Sequence, residues 1–389
     1  MKKIYLDNAA TTCPHPRVIA RMCQALESGY ANPSALYNLG IDMEKQIEGV
    51  RSHIAKTLGA ASEEIIFTSG GTEGDNTLIK GLVEIKRPDV LKTARIVTTT
   101  IEHPAVKDVF KLYEEHGVEV VWLPVDSQGH VDLAALEAAV DHRTILVSII
   151  GVNNEIGTIQ DLKKIGSIIK GANPDCVFHT DYVQGYMKEP LDVTACRLDA
   201  VTLCGHKICG PKGIGAIYLK SGLRIKPLLL GGGQERGLRS GTENTPSILG
   251  FDEAITVMEE EPQDLHGRMA AYRAIMVEAL NGIEGICFNG DPQGSPYVLS
   301  ASIPGIRGEV LLHSLEARGV YVSTGSACSS HKKEKQSVLK AIHLPVDLAE
   351  GTIRISFSIL TTEAEVREGA AVIAEEAAKL QKWMNFKKK

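Results

Sequence analysis

The sequence predicts an α/β protein in two parts: a large domain with a mostly parallel sheet covered by helices, and a smaller α+β domain. Strand-like and helix-like segments alternate regularly between residues 64 and 219, the signature of such a sheet. After about residue 255 the pattern changes to one long helix, three strands and a closing helix. A chain of 389 residues with 43% hydrophobic content also exceeds one small domain and suits a large core plus a second one.

The elements follow in order. Glu64 to Thr68 is β-rich, Glu73 to Ile85 helical, Arg95 to Thr100 strand-like, Ala105 to Glu115 helical and Glu119 to Leu123 again a strand. Asp132 to Val140 reads as helix, Ile145 to Ile150 as a buried strand and Leu162 to Ile169 as helix. Val177 to Thr180, Ala200 to Leu203 and Ala216 to Leu219 complete the strands of the first part. In the second part Leu265, Met269, Tyr272, Met276 and Leu280 mark one helix face, and strands follow at Val298 to Ile303, Val320 to Ser323 and Thr352 to Phe357. Thr362 and Glu365 form a capping box for a last helix with its apolar stripe on Val366, Ala370, Ile373, Ala377 and Leu380.

Composition narrows the function classes. A net charge of −6 offers no electrostatic reason to expect nucleic acid. The best apolar run, Thr144 to Val152, is too short for a bilayer and reads as a strand. The first residues lack the apolar core of a signal peptide, so a cytoplasmic protein is expected. Cysteines at 13, 23, 176, 196, 204, 209, 287 and 328 contain no C-x-x-C pair and are expected as thiols, not a disulfide framework.

Three clusters carry chemistry, and ligands of such a sheet belong at the carboxyl ends of its strands. Ser69-Gly70-Gly71-Thr72-Glu73 joins a strand to a helix, so its backbone amides and the Thr72 hydroxyl suit a single phosphate group. It lacks the Lys-Ser or Lys-Thr of a P-loop, which disfavours a nucleoside triphosphate. Asp181 ends the second candidate strand, and Lys207 lies beyond the third, bracketed by Gly, His and Pro. Phosphate loop, strand-end acid and bracketed lysine together suggest pyridoxal phosphate, which needs a cradle, an acid for its pyridine nitrogen and an amine for its aldehyde. Cys204, His206 and Cys209 are alternative metal ligands, but their C-x-H-x-x-C spacing matches no common zinc pattern, so no metal is assigned. Ser323 to Ser330 is a run of small and hydroxyl residues around Cys328, with His331, Lys332 and Lys333 behind it. It reads as a flexible, electropositive loop favouring thiolate, or simply as a surface loop that carries a cysteine.

Over nearly its whole length the sequence resembles the NifS/IscS-type cysteine desulfurases of the class V, fold type I pyridoxal-phosphate family. The resemblance rests on Tyr5-Leu6-Asp7-Asn8-Ala9-Ala10-Thr11-Thr12, Asn32-Pro33-Ser34, Ser69 to Glu73, Glu102-His103, Val152 to Gly157, Asp181 to Gln184, Gly205-His206-Lys207, Gly210 to Gly213, Arg239 to Thr242 and Gly325 to Ser330. It implies a large cofactor-binding domain over residues 15–255 and a small domain over 1–14 and 256–389 that carries the Cys328 loop.

The resemblance also implies roles. Lys207 would hold the cofactor as a Schiff base and move the α-proton, Asp181 would meet the pyridine nitrogen, and His103 would stack on the ring and serve in proton transfer. Gln184 and Asn154 would lie near the phenolic oxygen; Gly71, Thr72, Cys204 and His206 would serve the phosphate, with Thr242 arriving from the second subunit of a homodimer. Asn32, Asn154 and Arg354 would bind the substrate, Arg354 by its carboxylate. L-cysteine would become L-alanine, leaving a persulfide on Cys328 for a sulfur-acceptor protein in iron–sulfur cluster assembly or tRNA thiolation. Selenocysteine lyase or another class V reaction such as transamination is the alternative, and Cys328 separates them. Cys204 departs from the family's usual serine, and a thiol is the weaker donor. The remaining thiols are expected to be packed or inert.

Overall fold

The computed structural model describes residues 3–261, 264–324 and 337–387. Cys328 and its neighbours therefore lie outside the described residues. The first part contains β1 (Ile4–Tyr5), α1 (Pro16–Ser28), α2 (Asn38–Leu58), β2 (Ile65–Thr68), α3 (Gly71–Glu84), α4 (Pro88–Leu91), β3 (Arg95–Thr99), α5 (Pro104–Glu115) and β4 (Glu119–Leu123). It continues through α6 (Leu133–Ala139), β5 (Thr144–Ser148), α7 (Leu162–Ala172), β6 (Val177–Asp181), β7 (Ala200–Cys204), β8 (Gly215–Leu219) and α8 (Thr245–Glu260). The second part runs α9 (Leu265–Leu280), β9 (Cys287–Asn289), β10 (Val298–Ser302), α10 (Gly308–Glu316), β11 (Val320–Tyr321), β12 (Ser323–Thr324), α11 (Ser337–Ala341), α12 (Val346–Glu350), β13 (Thr352–Ser356) and α13 (Glu363–Lys387).

The large sheet has the order β2-β8-β7-β6-β5-β3-β4. Only β8 runs against its neighbours, β2 and β7; the other pairs are parallel. Adjacent residues of one strand point to opposite faces, and here both faces are covered. Ile66, Ile96, Leu146, Val177 and Ile217 pack under α3 and α5 with Leu78, Leu82, Val106 and Phe110. Phe67, Val97, Val147, Phe178 and Val201 pack on the other side against Val18, Ile54, Ile165 and Phe251 of α1, α2, α7 and α8. This is why the strands read as continuous apolar runs. Each fully buried Phe or Ile contributes roughly 1.5–3 kcal/mol.

The small part is an antiparallel sheet of order β12-β13-β10-β9 covered by α9, α10 and α13. Met269, Tyr272, Met276 and Leu280 face Val366, Ala370, Ile373 and Ala377 in this second core, which also takes in Ile4, Leu6 and Ala9. The capping box forms: Thr362 N–H donates to Glu365 and Glu365 N–H donates to Thr362 Oγ1.

The structure shifts some expected boundaries. α8 runs past residue 255, and Val257 and Met258 pack in the large core, so the division falls at the end of that helix. The strand expected at Val320 to Ser323 is two short strands. β11 pairs with β1 while β12 pairs with β13, the chain changing sheets at buried Val322. Cys13 and Cys23 are exposed, not packed. No helix among the described residues is long and apolar enough to cross a membrane.

Candidate active site

β2, β3, β5, β6 and β7 all point their carboxyl ends at one edge of the sheet, and the candidate residues follow those ends. The phosphate loop comes first. α3 opens at Gly71 directly after β2, and helix geometry leaves its first amides without intrahelical acceptors. Gly70 has φ +149°, a backbone state that glycine adopts readily. A Cβ on Gly71 would stand 2.8 Å from Val183 Cγ2, so the loop packs directly on the Asp181 turn. Glu73 Oε2 accepts Ser69 N–H at 3.0 Å, and Glu73 is held in turn by Arg239 at 2.9 Å. Thr72 is exposed at the mouth of this loop.

Asp181 is 5% exposed, and its Oδ1 accepts Val183 N–H at 3.0 Å. Burial raises its pKa, while His103, that backbone bond and Lys207 oppose the rise. His103 caps α5: its Nδ1 accepts Ala105 N–H at 3.2 Å, which leaves the ring proton on Nε2. Burial lowers its pKa, so the ring is a neutral donor. Lys207 lies three residues beyond β7, and its Nζ donates to Ala9 O at 2.5 Å and Ala10 O at 2.7 Å. Gln184 Nε2 donates to Ala9 O at 2.8 Å, while its buried Oε1 has no partner among the described residues.

His206 Nδ1 meets Thr11 Oγ1 at 3.2 Å. Burial, then Lys207, Lys212 and Lys188, push its pKa down to about 3, leaving a neutral ring in a positive field that suits phosphate. Cys204 is wholly buried at the end of β7, and burial raises its thiol to about 11, so it is uncharged.

The residues Asp7 to Thr12 form a strap over this edge. Besides the contacts to Lys207, Gln184 and His206, Asn8 Nδ2 donates to Ser356 O at 2.9 Å, Ser356 Oγ accepts Ala9 N–H at 2.8 Å, and Thr12 Oγ1 bonds His206 O. At its start Asp7 meets Arg354, which is 4% exposed: Nη2 donates to Asp7 Oδ1 and Nη1 to Asn154 O, both at 2.8 Å. Arg354 Nε is buried without a partner, a donor aimed at nothing the described chain supplies.

Lys207, Asp181, His103, Gln184, His206, Gly71, Thr72 and Cys204 thus gather along one edge, with Arg354 and Asn154 beside them. Asn32 is exposed, and its side-chain oxygen closes a local turn on Ser34 N–H. Thr242 is exposed on the loop before α8. The gathered groups fit pyridoxal phosphate, since amine, buried acid, neutral imidazole and helix amides are present together with an unsatisfied Gln184 oxygen.

Glu102 was quoted among the motifs without a role, and the structure supplies one. It is 2% exposed; Oε1 accepts the Thr99 hydroxyl at 2.7 Å and Ile150 N–H at 2.9 Å. It thereby ties the ends of β3 and β5 together beside His103. Burial raises its pKa to about 8, so it is a neutral acid at pH 7. The signal available was its position directly after a buried strand, between Ile101 and His103.

The class-V aminotransferase family matches residues 4–368. Cysteine desulfurase IscS of Methanosarcina thermophila is 40% identical over 381 residues, covering 98% of this chain and 93% of that protein. A solved NifS-like protein superposes with a TM-score of 0.90 at 38% identity, covering 96% of this chain and 99% of the other. A structure of SspA in complex with cysteine gives a TM-score of 0.81 at 32% identity, covering 93% and 100%.

Proposed function

Because the chain belongs to the class-V aminotransferase family, we propose a role for each residue gathered at the sheet edge. The activity is that of a cysteine desulfurase dependent on pyridoxal phosphate. One observation supports the assignment of residues above all. Lys207, Asp181 and His103, from three separate strand ends, lie close enough to influence one another's ionisation.

Bound pyridoxal phosphate supplies an aldehyde that captures amines and a protonated ring that takes up electrons from the substrate's α-carbon. Lys207 would hold the aldehyde through Nζ, and the same atom would serve as the base for the substrate's α-proton. Asp181 would keep the pyridine nitrogen protonated, and His103 would pack against the ring with its Nε2 proton available to donate. Gly71, Thr72 and His206 hold the phosphate with neutral donors, and Cys204 packs beside them. Gln184 and Asn154 would hold the cofactor's phenolic oxygen. Arg354 receives the cysteine carboxylate on its unpartnered Nε side.

The sulfur goes to Cys328. Its thiolate attacks the substrate sulfur, the substrate C–S bond breaks, an S–S bond forms, and proton uptake releases alanine. Ser323 is the register partner of Arg354, and four peptide steps from Thr324 to Cys328 span at most about 14 Å. On the far flank Val338 and Leu339 pack with Ile101, Ile150 and Ile156, beside His103 and Asn154.

Thr242 is exposed and its loop is clamped by Arg239 to Glu73, which suits delivery to a second subunit's phosphate in a homodimer. The acceptor is a sulfur-carrying protein of iron–sulfur assembly or tRNA thiolation, and the setting is the cytoplasm, where reduced thiols persist. Intact-mass measurement after adding cysteine, followed by peptide mapping, tests the reading: one extra sulfur on Cys328 is expected. Full alanine production by Cys328→Ala would overturn the persulfide step.

A further inference from the structure

Behind Asp181 lies a carboxyl that the proposed reaction does not use. Asp75, the fifth residue of α3, is 1% exposed, and neither of its oxygens makes a well-formed hydrogen bond among the described residues, although the Thr202 hydroxyl lies near enough to favour its anion. One oxygen of Asp75, one of Asp181 and a ring nitrogen of His103 all lie within 4.8 Å of one another. His179 Nε2 stands 3.7 Å from Asp75 Oδ1, but it meets Thr202 Oγ1 at 3.1 Å while His179 Nδ1 meets Ser148 Oγ at 2.8 Å. Full burial pushes the His179 pKa down to about 3, so that ring is neutral and brings no positive charge.

Two anions in so dry a space repel strongly, and one of the two acids keeps its proton. The groups around them decide which. Asp181 has the Val183 amide on Oδ1 and faces Lys207 and His103, all of which favour its anion. Asp75 faces Asp181, Glu102 and the Thr202 hydroxyl; burial, then Asp181, drives its pKa well upwards. The third carboxyl, Glu102, faces Asp181 and Lys107 and is itself held neutral by burial.

We propose that Asp75 is a positioning residue for the cofactor, an uncharged acid whose hydroxyl dipole supports Asp181 as the single negative charge beneath the pyridine nitrogen. This rests on the role given to Asp181 above. It explains why a carboxyl is buried here without the partners a buried anion would require. Its place on α3, just after the phosphate loop, also lets one helix serve both ends of the cofactor.

The test compares holoenzymes by the pH titration of the absorption band of the Lys207-bound cofactor, a readout independent of turnover. An amide is neutral and has nearly the shape and dipole of the acid, so Asp75→Asn should titrate within about 0.3 pH unit of the parent. Asp75→Ala should move the midpoint up by about one unit, because a less supported Asp181 draws the proton off the pyridine nitrogen. Its kcat should fall about tenfold with KM little changed. A shift in Asp75→Asn as large as in Asp75→Ala would mean that the side chain acts as an anion, and no shift in either would reduce it to packing; both overturn the proposal. Asn fills the same volume as Asp, so the comparison with the parent decides even where the Ala variant does not fold. Asp181→Asn should shift the band further than either variant; an unchanged band there would overturn the Asp181 assignment itself, which separates the two failures.

Discussion

Arg354 Nη2 donates to Asp7 Oδ1 at 2.8 Å, so the guanidinium assigned to the substrate carboxylate already rests on an acid of the N-terminal strap. Nη1 is committed to Asn154 O, and the Nε side is what remains for an incoming carboxylate. Asp7 therefore orients the fork while the substrate is absent. Burial raises the Asp7 pKa although Arg354 opposes it, so the pair is held in a strongly desolvated setting.

Removing Asp7 leaves a buried guanidinium short of a partner. Asp7→Ala should lose about 1–3 kcal/mol of stability, and a carboxylate ligand should restore part of it. Thermal unfolding with and without a non-reactive cysteine analogue measures both. A ligand-induced rise in Tm no larger than the parent's would refute the orienting role. Arg354→Ala, by contrast, should raise KM for cysteine about 10- to 100-fold, the worth of a charge-assisted pair.

Glu102 makes stability depend on pH in a predictable direction. Its carboxyl ionises at 4.5 ordinarily and at about 8 in the folded protein. Between those values the folded state keeps a proton that the unfolded chain has released, so its contribution falls as pH rises, by up to about 1.4 kcal/mol per pH unit. Glu102→Gln should remove this slope. Unfolding of both proteins between about pH 5 and 8 is the measurement, and parallel curves would show that the carboxyl is ionised after all.

The thiol at position 204 should weaken the hold on phosphate. Cys204→Ser supplies a stronger donor at a buried strand end, and the cofactor should be retained about 2- to 10-fold longer, the worth of one net hydrogen bond. Release can be followed by absorbance after dilution. Faster release would indicate that Cys204 faces packed atoms instead.

Gly215 is fixed by a close approach of backbones. A Cβ there would lie 2.5 Å from Leu203 O and 2.8 Å from Gly70 Cα, atoms that cannot rotate away. Gly215→Ala should cost about 1–3 kcal/mol and displace the phosphate loop, as overpacking does. Cofactor affinity should drop about tenfold or more; an unchanged affinity would show that the loop tolerates displacement.

Much of the large domain was legible because two physical periods repeat there. Strands covered on both faces become unbroken apolar runs, as in Thr144 to Val152, and helices keep their stripes. The site motifs were legible where glycine marks a close approach, as at Gly71 and Gly205, or a positive φ, as at Gly70. For Asn32 the motif gave a substrate role, and the chain itself shows only an exposed side chain that closes a local turn. Thr242 is exposed in its own chain, so its proposed role with a second subunit is not visible from one chain. The strand at Val320 to Ser323 was read as one because local preference does not reveal that β1, three hundred residues earlier, claims its first half. Asp75 escaped notice, and Glu102 was given no role, for a similar reason. An isolated acid in a helix or after a strand looks solvated until the elements packed around it are known.

The strap from Asp7 to Thr12 has a consequence for the order of synthesis. Its bonds to Ser356 join residues 348 and 347 positions apart, while others reach Gln184 and Lys207 in the middle of the chain. The strap leaves the ribosome before the distant residues it bonds and is thus among the last segments to find its place, since contacts of such separation form slowly. The sheet with its lysine can assemble early, but the wall that faces it is absent until β13 has been translated. A nascent chain halted before Ser356 would carry an open edge, so secure capture of the cofactor would wait on translation of β13.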